Sequence, residues 1–216
     1  MKKYIQIFIA VVFYNTATSQ VLYNENFDNY PLGDLTTDST GITPGLGNWY
    51  VYLNKTTASE VTIVQEPNKG KVLVIKNAIN YIAQQKNLQT VWSNRTAGNN
   101  VLLVEYELYA EDLDNTSIFE AQGVNSLLNS IRFITGYNST LQINESYVEA
   151  GFDINKRYQN FIKKWITIQV YADYNSNKHY IHIPALGITL HGVSTKTFTA
   201  LNAITFRGGG GFLQKE

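Results

Sequence analysis

The stretch that decides the fold is Trp165-Ile166-Thr167-Ile168-Gln169-Val170-Tyr171-Ala172-Asp173. Its aliphatic residues stand at every second position, from Ile166 to Ala172, and polar or aromatic residues stand between them. A period of two places successive side chains on opposite faces of a β-strand. The stretch therefore predicts a long antiparallel strand with one face in a core and the other face accessible.

The same alternation recurs in Val101–Ala110, where Leu102 and Val104 share one parity and Glu105 and Glu107 share the other. Short segments rich in β-branched and aromatic residues, each bounded by turn residues, continue along the chain. They predict further strands over Asn48–Leu53, Glu60–Gln65, Lys71–Lys76, Leu88–Trp92, Ile118–Gln122, Ser130–Thr135, Thr140–Ile143, His179–Pro184 and Ala200–Arg207. Many short strands at this spacing are typical of a β-sandwich or barrel.

The first 19 residues predict a secretory signal peptide. Two lysines precede an apolar run from Tyr4 to Tyr14, and Ala17 and Ser19 suit the small positions before a cleavage site. The run is shorter than the about 20 residues that cross a bilayer, which argues against a membrane anchor. We therefore expect a secreted protein, extracellular or on the cell surface, with no membrane insertion once the signal is removed.

Charge and cysteine content exclude some classes of function. Without the two lysines of the leader the chain keeps 15 basic and 17 acidic residues, so no electrostatic case exists for nucleic acid as a partner. The chain contains no cysteine, so stability must come from burial and sheet hydrogen bonds. Residues 20–216 are long enough for one core, and we expect one domain and a monomer.

The C-terminal end predicts an incomplete sandwich. Gly208–Gly211 directly follow the last predicted strand, and four glycines suit a turn into another strand better than the end of a domain. The sequence therefore predicts a C-terminally truncated domain that lacks its last strand.

Two regions resemble the concanavalin A-like, laminin-G-like jelly rolls of secreted Gram-negative proteins of the type IX secretion kind. They are Glu25-Asn26-Phe27-Asp28-Asn29-Tyr30-Pro31-Leu32-Gly33-Asp34-Leu35, followed by Gly47-Asn48-Trp49, and the stretch Trp165–Asp173, followed by Tyr180-Ile181-His182-Ile183. The resemblance implies an antiparallel two-sheet jelly roll of the lectin and glucanase type. The superfamily also includes adhesins, glycosidases and lyases, so the fold does not choose a function.

Glu25 and Asp28 are the candidate metal ligands, for a structural Ca²⁺ ion. Calcium takes six to eight oxygen ligands, carboxylates among them, and in similar jelly rolls such a site ties the first strand to the last. The alternative is that both acids serve the turn in which they stand, since Asp and Asn favour turns. No other cofactor is expected.

The sequence predicts no catalytic residue. Glu105 and Glu107 stand two positions apart, about 7 Å along a strand, which is near the spacing of paired-carboxylate glycosidases. The strand lacks the Glu-x-Asp-x-(x)-Glu pattern of jelly-roll glucanases, so a solvated acidic face is favoured. His179 and His182 fall on opposite faces of a strand and cannot chelate a metal together.

The candidate ligand site is the accessible face of the two long strands. Its residues are Trp165, Gln169, Tyr171, Asp173, Glu105 and Glu107. Their rings could stack on sugars and their polar groups could bond hydroxyls, which predicts a non-catalytic, lectin-like module for a polysaccharide or cell-surface glycan. Trp49, Tyr50 and Tyr52 offer a second aromatic set. A structural or adhesion domain of a larger surface protein, or a polysaccharide hydrolase or lyase, remain alternatives, because large rings also pack between sheets.

Overall fold

The computed structural model describes residues 20–52, 61–75, 81–109, 115–123, 130–134, 140–143, 146–150, 163–193 and 200–210. Within these ranges the chain forms fourteen strands and one short α-helix. The strands are β1 (Gly33–Asp34), β2 (Trp49–Tyr52), β3 (Val61–Glu66), β4 (Gly70–Ile75), β5 (Tyr81–Gln85), β6 (Val101–Tyr109), β7 (Asn115–Gly123), β8 (Ser130–Ile134), β9 (Thr140–Ile143), β10 (Ser146–Ala150), β11 (Trp165–Asp173), β12 (Lys178–Ile183), β13 (Ile188–Val193) and β14 (Leu201–Gly210). The helix is α1 (Gln89–Ser93).

The strands form three sheets, and every strand pair is antiparallel. The largest sheet has the order β10-β9-β8-β7-β14-β5-β2, the second has the order β13-β12-β11-β6, and the smallest has the order β1-β3-β4. Strand β14 comes last in sequence among the described strands, yet it lies in the middle of the seven-stranded sheet, between β7 and β5. Strands distant in sequence thus become neighbours, as in a jelly roll.

Aromatic rings join the seven-stranded and four-stranded sheets across the core. The ring of Tyr106 on β6 stacks on Phe119 of β7, with 4.7 Å between ring centroids, and its edge meets Phe206 of β14 at 5.3 Å. Trp49 on β2 contacts Phe206 from the other side. These contacts confirm the predicted fold class, an antiparallel β-sandwich.

The predicted parity of the two long strands is also confirmed. Ile166, Ile168, Val170 and Ala172 of β11 are buried, and the residues between them are partly accessible. On β6, Leu102 is buried, whereas Glu105 and Glu107 are exposed. The alternating aliphatic residues are therefore buried, and their burial stabilises the core on this side of the sandwich.

The predicted strands differ from the structure in one wrong assignment and in several strands that the sequence did not predict. Leu88–Trp92 was expected to be a strand, but Gln89–Ser93 forms helix α1, which lets Trp92 stack on Tyr174 at 4.8 Å. Short apolar runs suit a strand or a helical turn equally, and packing decides between them. In addition, strands β1, β5, β10 and β13 were not predicted.

The prediction of a turn at Gly208–Gly211 is wrong for Gly208 to Gly210, which lie in a strand. Strand β14 continues through Gly210, which pairs with Asn115 of β7. Backbone ladder bonds need no side chain, so glycines can extend a central strand. The expectation of a further strand beyond Glu216 stays a prediction.

The predicted signal peptide lies outside the described residues. Among those that are described, no helix has the length and apolar character needed to cross a membrane.

Candidate functional site

The candidate ligand residues lie on the side of the four-stranded sheet that faces away from the core, here called the outer face. Strand registers set its rows: Trp165 pairs with Tyr109, Gln169 lies between Glu105 and His182, and Tyr171 lies between Leu103 and Tyr180. Strand β13 adds Thr189, His191 and Val193 at the edge. All six predicted ligand residues therefore share one surface.

The outer face exposes unusually large apolar groups for a solvated sheet. Val101, Leu103, Tyr109 and Val193 retain 54%, 46%, 42% and 60% of their accessible surface. Single exposed apolar residues need no explanation, but several on one face are typical of a surface that meets another molecule.

Tyr109 and Trp165 form a ring pair at one end of the outer face. Their ring centroids are 5.5 Å apart, with the planes tilted by 49°. Cross-strand pairing brings the two rings together, since aromatic side chains directly opposite each other on antiparallel strands are in contact.

Lys69 extends from the turn between β3 and β4 to the ring of Trp165. Its Nζ lies 5.4 Å from the centroid of the Trp165 ring and bonds both carboxylate oxygens of Glu107, at 2.6 and 2.7 Å. Gly70 allows the turn, because its φ is 81° and a Cβ there would lie 2.6 Å from Asp28 Oδ1. Glu107 is thus held by a lysine that also covers part of the Trp165 ring.

A chain of hydrogen bonds occupies the middle of the outer face. Tyr171 donates its hydroxyl hydrogen to Gln169 Oε1 at 3.2 Å, and Gln169 Nε2 donates to Glu105 Oε2 at 2.7 Å. The chain fixes the orientation of the Gln169 amide beside the carboxylate of Glu105, which is exposed. Such oriented polar groups beside rings are what a sugar hydroxyl requires.

Asp173 is on the same face but serves the turn after β11. Its carboxylate accepts hydrogen bonds from the Asn175 backbone N–H at 2.8 Å and the Ser176 hydroxyl at 2.6 Å. These bonds favour the ionised form and lower the pKa of Asp173. Its predicted contribution to ligand binding stays a prediction.

Glu25 and Asp28, the predicted calcium ligands, are surrounded by hydrogen-bond donors. Glu25 Oε2 accepts from the Tyr30 hydroxyl at 2.6 Å and from Trp49 Nε1 at 3.3 Å, while Asp28 Oδ1 accepts from the Lys71 backbone N–H at 2.9 Å. Burial, together with the Glu25 carboxylate, raises the pKa of Tyr30 to about 12. In this geometry both acids fasten the N-terminal segment to the sandwich, and their calcium role stays a prediction.

The described residues contain no group of three or more His, Asp or Glu side chains that could hold a metal ion. His179 and His182 occupy opposite faces of β12, as the sequence predicts: His179 is buried, and His182 Nδ1 lies 2.9 Å from Thr189 Oγ1 on the outer face.

The second aromatic set does not form an accessible platform. Trp49 is 1% exposed and belongs to the core, so its interpretation as a stacking ring is wrong. Tyr50 and Tyr52 lie on the other parity, and Lys86 Nζ is 4.1 Å and 4.8 Å from their ring centroids. A lysine of the same chain thus already occupies both tyrosine faces.

Sequence analysis missed a second polar group of residues, here called the buried polar layer. It lies on the side of the seven-stranded sheet opposite Phe119 and Phe206, and its members are Gln84, Glu120, Gln122, Thr205 and Arg207. Arg207 Nη2 donates to Glu120 Oε2 at 2.9 Å, and Gln84 Nε2 donates to Gln122 Oε1 at 3.0 Å and Thr205 Oγ1 at 3.1 Å. Polar residues at alternating positions predict a strand, but they do not predict that the polar side of the strand is buried.

The sheets and their outer face define an all-β protein with an antiparallel, jelly-roll β-sandwich. No family model matches the sequence, and no curated protein is significantly similar to it.

Several solved structures are similar to this chain at low sequence identity. A sialidase has a TM-score of 0.49 and 12% identity over 83% of this chain, which spans only 15% of the sialidase chain. Carbohydrate-binding module CBM66 from Bacillus subtilis has a TM-score of 0.41 and 8% identity, covering 74% of this chain and 89% of that one. Lectin I-B4 from Griffonia simplicifolia has a TM-score of 0.42 and 10% identity, covering 77% and 86%. These similarities leave function to be argued from the residues of this chain.

Proposed function

We propose that this protein is an extracellular, non-catalytic carbohydrate-binding module whose ligand site is the outer face. The observation that carries the proposal is the ring pair of Tyr109, which is 42% exposed, and Trp165, which is partly buried, on the same face as the oriented amide and carboxylate of Gln169 and Glu105. Aromatic rings offer large apolar area to the apolar side of a sugar, and fixed polar groups give orientation to its hydroxyls.

Accessibility favours the outer face over the buried polar layer. Glu120 and Thr205 are 2% and 0% exposed, whereas Glu105 and Glu107 on the outer face are exposed. A paired-carboxylate hydrolase would also need a second acid, and the described side chains of that layer supply one carboxylate, Glu120. Binding without catalysis is therefore the function that the accessible groups support best.

Alanine substitution of the rings tests the site directly. In pull-down with insoluble polysaccharides and on a glycan array, Tyr109→Ala and Tyr171→Ala should each lose most of the binding that wild type shows. Both rings are partly accessible, so the thermal midpoint should change little. Ile42→Ala is the matched control, because Ile42 is 79% exposed away from the outer face.

Trp165→Ala is a poorer test, since loss of a largely packed Trp lowers stability by about 3–5 kcal/mol and would confuse the result. Two outcomes overturn the proposal: wild type that binds no glycan, or ring variants that bind as wild type does. A Tyr171→Ala protein that loses stability instead of binding would assign that ring to packing.

A second candidate, an adhesion or structural domain of a larger surface protein, has one observation in its favour. Val101, Leu103 and Val193 expose aliphatic rather than aromatic surface, and aliphatic patches suit a protein partner as well as a sugar. If no glycan binds, this candidate takes first place.

The extracellular part of the proposal rests on the predicted signal peptide. N-terminal sequencing of the exported protein should begin at Gln20 or one residue beyond. Recovery of intact Met1 on the exported product would exclude the predicted cleavage.

A further inference from the structure

The outer face carries aromatic residues at both of its ends. Tyr109 and Trp165 form the ring pair at one end, and Tyr171 and Tyr180 face each other across β11 and β12 at the other. Trp165 and Tyr171 are six residues apart on the same strand, which corresponds to about 20 Å. One sugar ring cannot contact both ends.

Polar groups fill the space between the two aromatic ends. Thr167, Gln169 and Glu105 stand on the outer face between Trp165 and Tyr171, and His182 and Thr189 extend the Gln169 row to the sheet edge. A series of stacking positions separated by hydrogen-bonding groups along one strand fits an extended ligand better than a compact one.

The charges of the outer face disfavour an acidic ligand. Three carboxylates lie on it, those of Glu105, Glu107 and Asp173, and its described side chains include no arginine. Lys69 is engaged by Glu107, and Lys178 stands opposite Asp173. Glu105 is bonded by an amide, that of Gln169, so its charge would repel a uronic acid or sulfate group.

We propose that the outer face binds the interior of an extended, uncharged polysaccharide chain that spans both aromatic ends. This inference rests on the proposed carbohydrate-binding function and adds the ligand class and the mode of binding. A chain lying along β11 stacks on Trp165 and Tyr109 at one end and on Tyr171 and Tyr180 at the other, while its hydroxyls bond Gln169 and Glu105.

Calorimetric titration of the whole protein with oligosaccharides of increasing length tests the inference. The probes are oligosaccharides of glucan, xylan and mannan, and, for comparison, oligogalacturonates and alginate oligosaccharides. For the neutral series that binds, affinity should rise with length until the chain reaches both ends, and then stay constant. Acidic chains of the same length should bind more weakly, most clearly at low salt.

Variants at the two ends sharpen the test. Tyr180→Ala should weaken binding of long chains about tenfold and leave the shortest oligomers that bind unaffected, whereas Tyr109→Ala should weaken both. The double variant Glu105→Gln, Glu107→Gln keeps the side-chain shapes. It should reduce the difference in affinity between acidic and neutral oligosaccharides.

The outcomes separate this inference from the proposed function. Binding that does not depend on chain length, or that prefers acidic chains, overturns the inference and leaves carbohydrate binding intact. Binding of no saccharide in either series overturns both.

Discussion

The outer face and the buried polar layer are both sheet surfaces turned away from the aromatic core, yet they have opposite relations to solvent. On the outer face Glu105 and Glu107 are exposed beside Tyr109 and Trp165. In the buried polar layer Glu120 is 2% exposed. Alternation in the sequence predicts which side chains point away from the core. The comparison shows that it does not predict whether that side of the sheet is exposed to solvent.

The difference also changes what an ion pair contributes. Lys69 and Glu107 are 2.6 Å apart, but their side chains are 28% and 47% exposed, so water screens the pair and it contributes at most about 1 kcal/mol. Glu120 and Arg207 are 2.9 Å apart, and the glutamate is removed from water. A charge in that position needs its partner, because an uncompensated buried charge is costly.

Matched substitutions on the two surfaces should give the largest difference. Glu120→Ala leaves Arg207 without that carboxylate and should lower the free energy of unfolding by about 3 kcal/mol, the low end for a broken buried pair, since Arg207 keeps partial solvent contact. Glu105→Ala should change it by less than about 0.5 kcal/mol. Urea denaturation of both variants beside wild type measures the two values.

If Glu120→Ala and Glu105→Ala lower the free energy of unfolding equally, the two surfaces do not differ in burial as described. A Glu120→Ala protein that fails to fold is still informative when Glu120→Gln, which keeps a hydrogen-bond acceptor for Arg207, restores part of the stability. If neither variant loses stability, the buried polar layer is open to water.

A buried histidine of β12, His179, provides a further test of burial through its pH dependence. Burial of His179 lowers its pKa from the ordinary 6.5 to about 4, because the charged ring would lose hydration. Between these values the unfolded chain binds a proton that the folded chain does not, so stability falls as the pH falls from 6.5 toward 4. A depression of this size corresponds to about 3 kcal/mol.

The melting temperature should therefore fall as the pH falls across that range, and His179→Gln should reduce this slope. A slope that is unchanged in His179→Gln would assign the acid sensitivity to other groups.

Lys69→Ala should have the smallest effect of these variants on stability. Unlike the ring variants, it should strengthen glycan binding. The pair with Glu107 contributes little to stability, so the melting temperature should stay nearly constant. Removing the ammonium from the face of Trp165 frees that ring, and glycan affinity should rise about twofold to fivefold. Weaker binding in this variant would show that Lys69 contacts the ligand instead of competing with it.

Much of the fold could be predicted because long strands carry a strong period-two signal. Ile166 to Ala172 alternate without exception, and Trp165–Asp173 is a strand with those bounds. Tyr81–Gln85 was missed because its sequence, Tyr-Ile-Ala-Gln-Gln, alternates weakly, and it is a strand because β2 and β14 pair with it on both sides. Leu88–Trp92 was predicted to be a strand because Val91 and Trp92 suit a strand or a helix, and the helix Gln89–Ser93 forms where Trp92 packs on Tyr174.

The candidate site divides in the same way. The sequence by itself determined that Trp165, Gln169 and Tyr171 share one side of β11 and that Glu105 and Glu107 share one side of β6, since side-chain direction along a strand is a local, geometric property. That these two sides form one surface depends on the pairing of β6 with β11. Only the tertiary structure decided that Lys69 lies over Trp165, that Tyr109 pairs with that ring, and that Glu120 is buried beside Arg207. These facts depend on which strands become neighbours and on what covers each sheet, and both are settled by contacts between residues far apart in the chain.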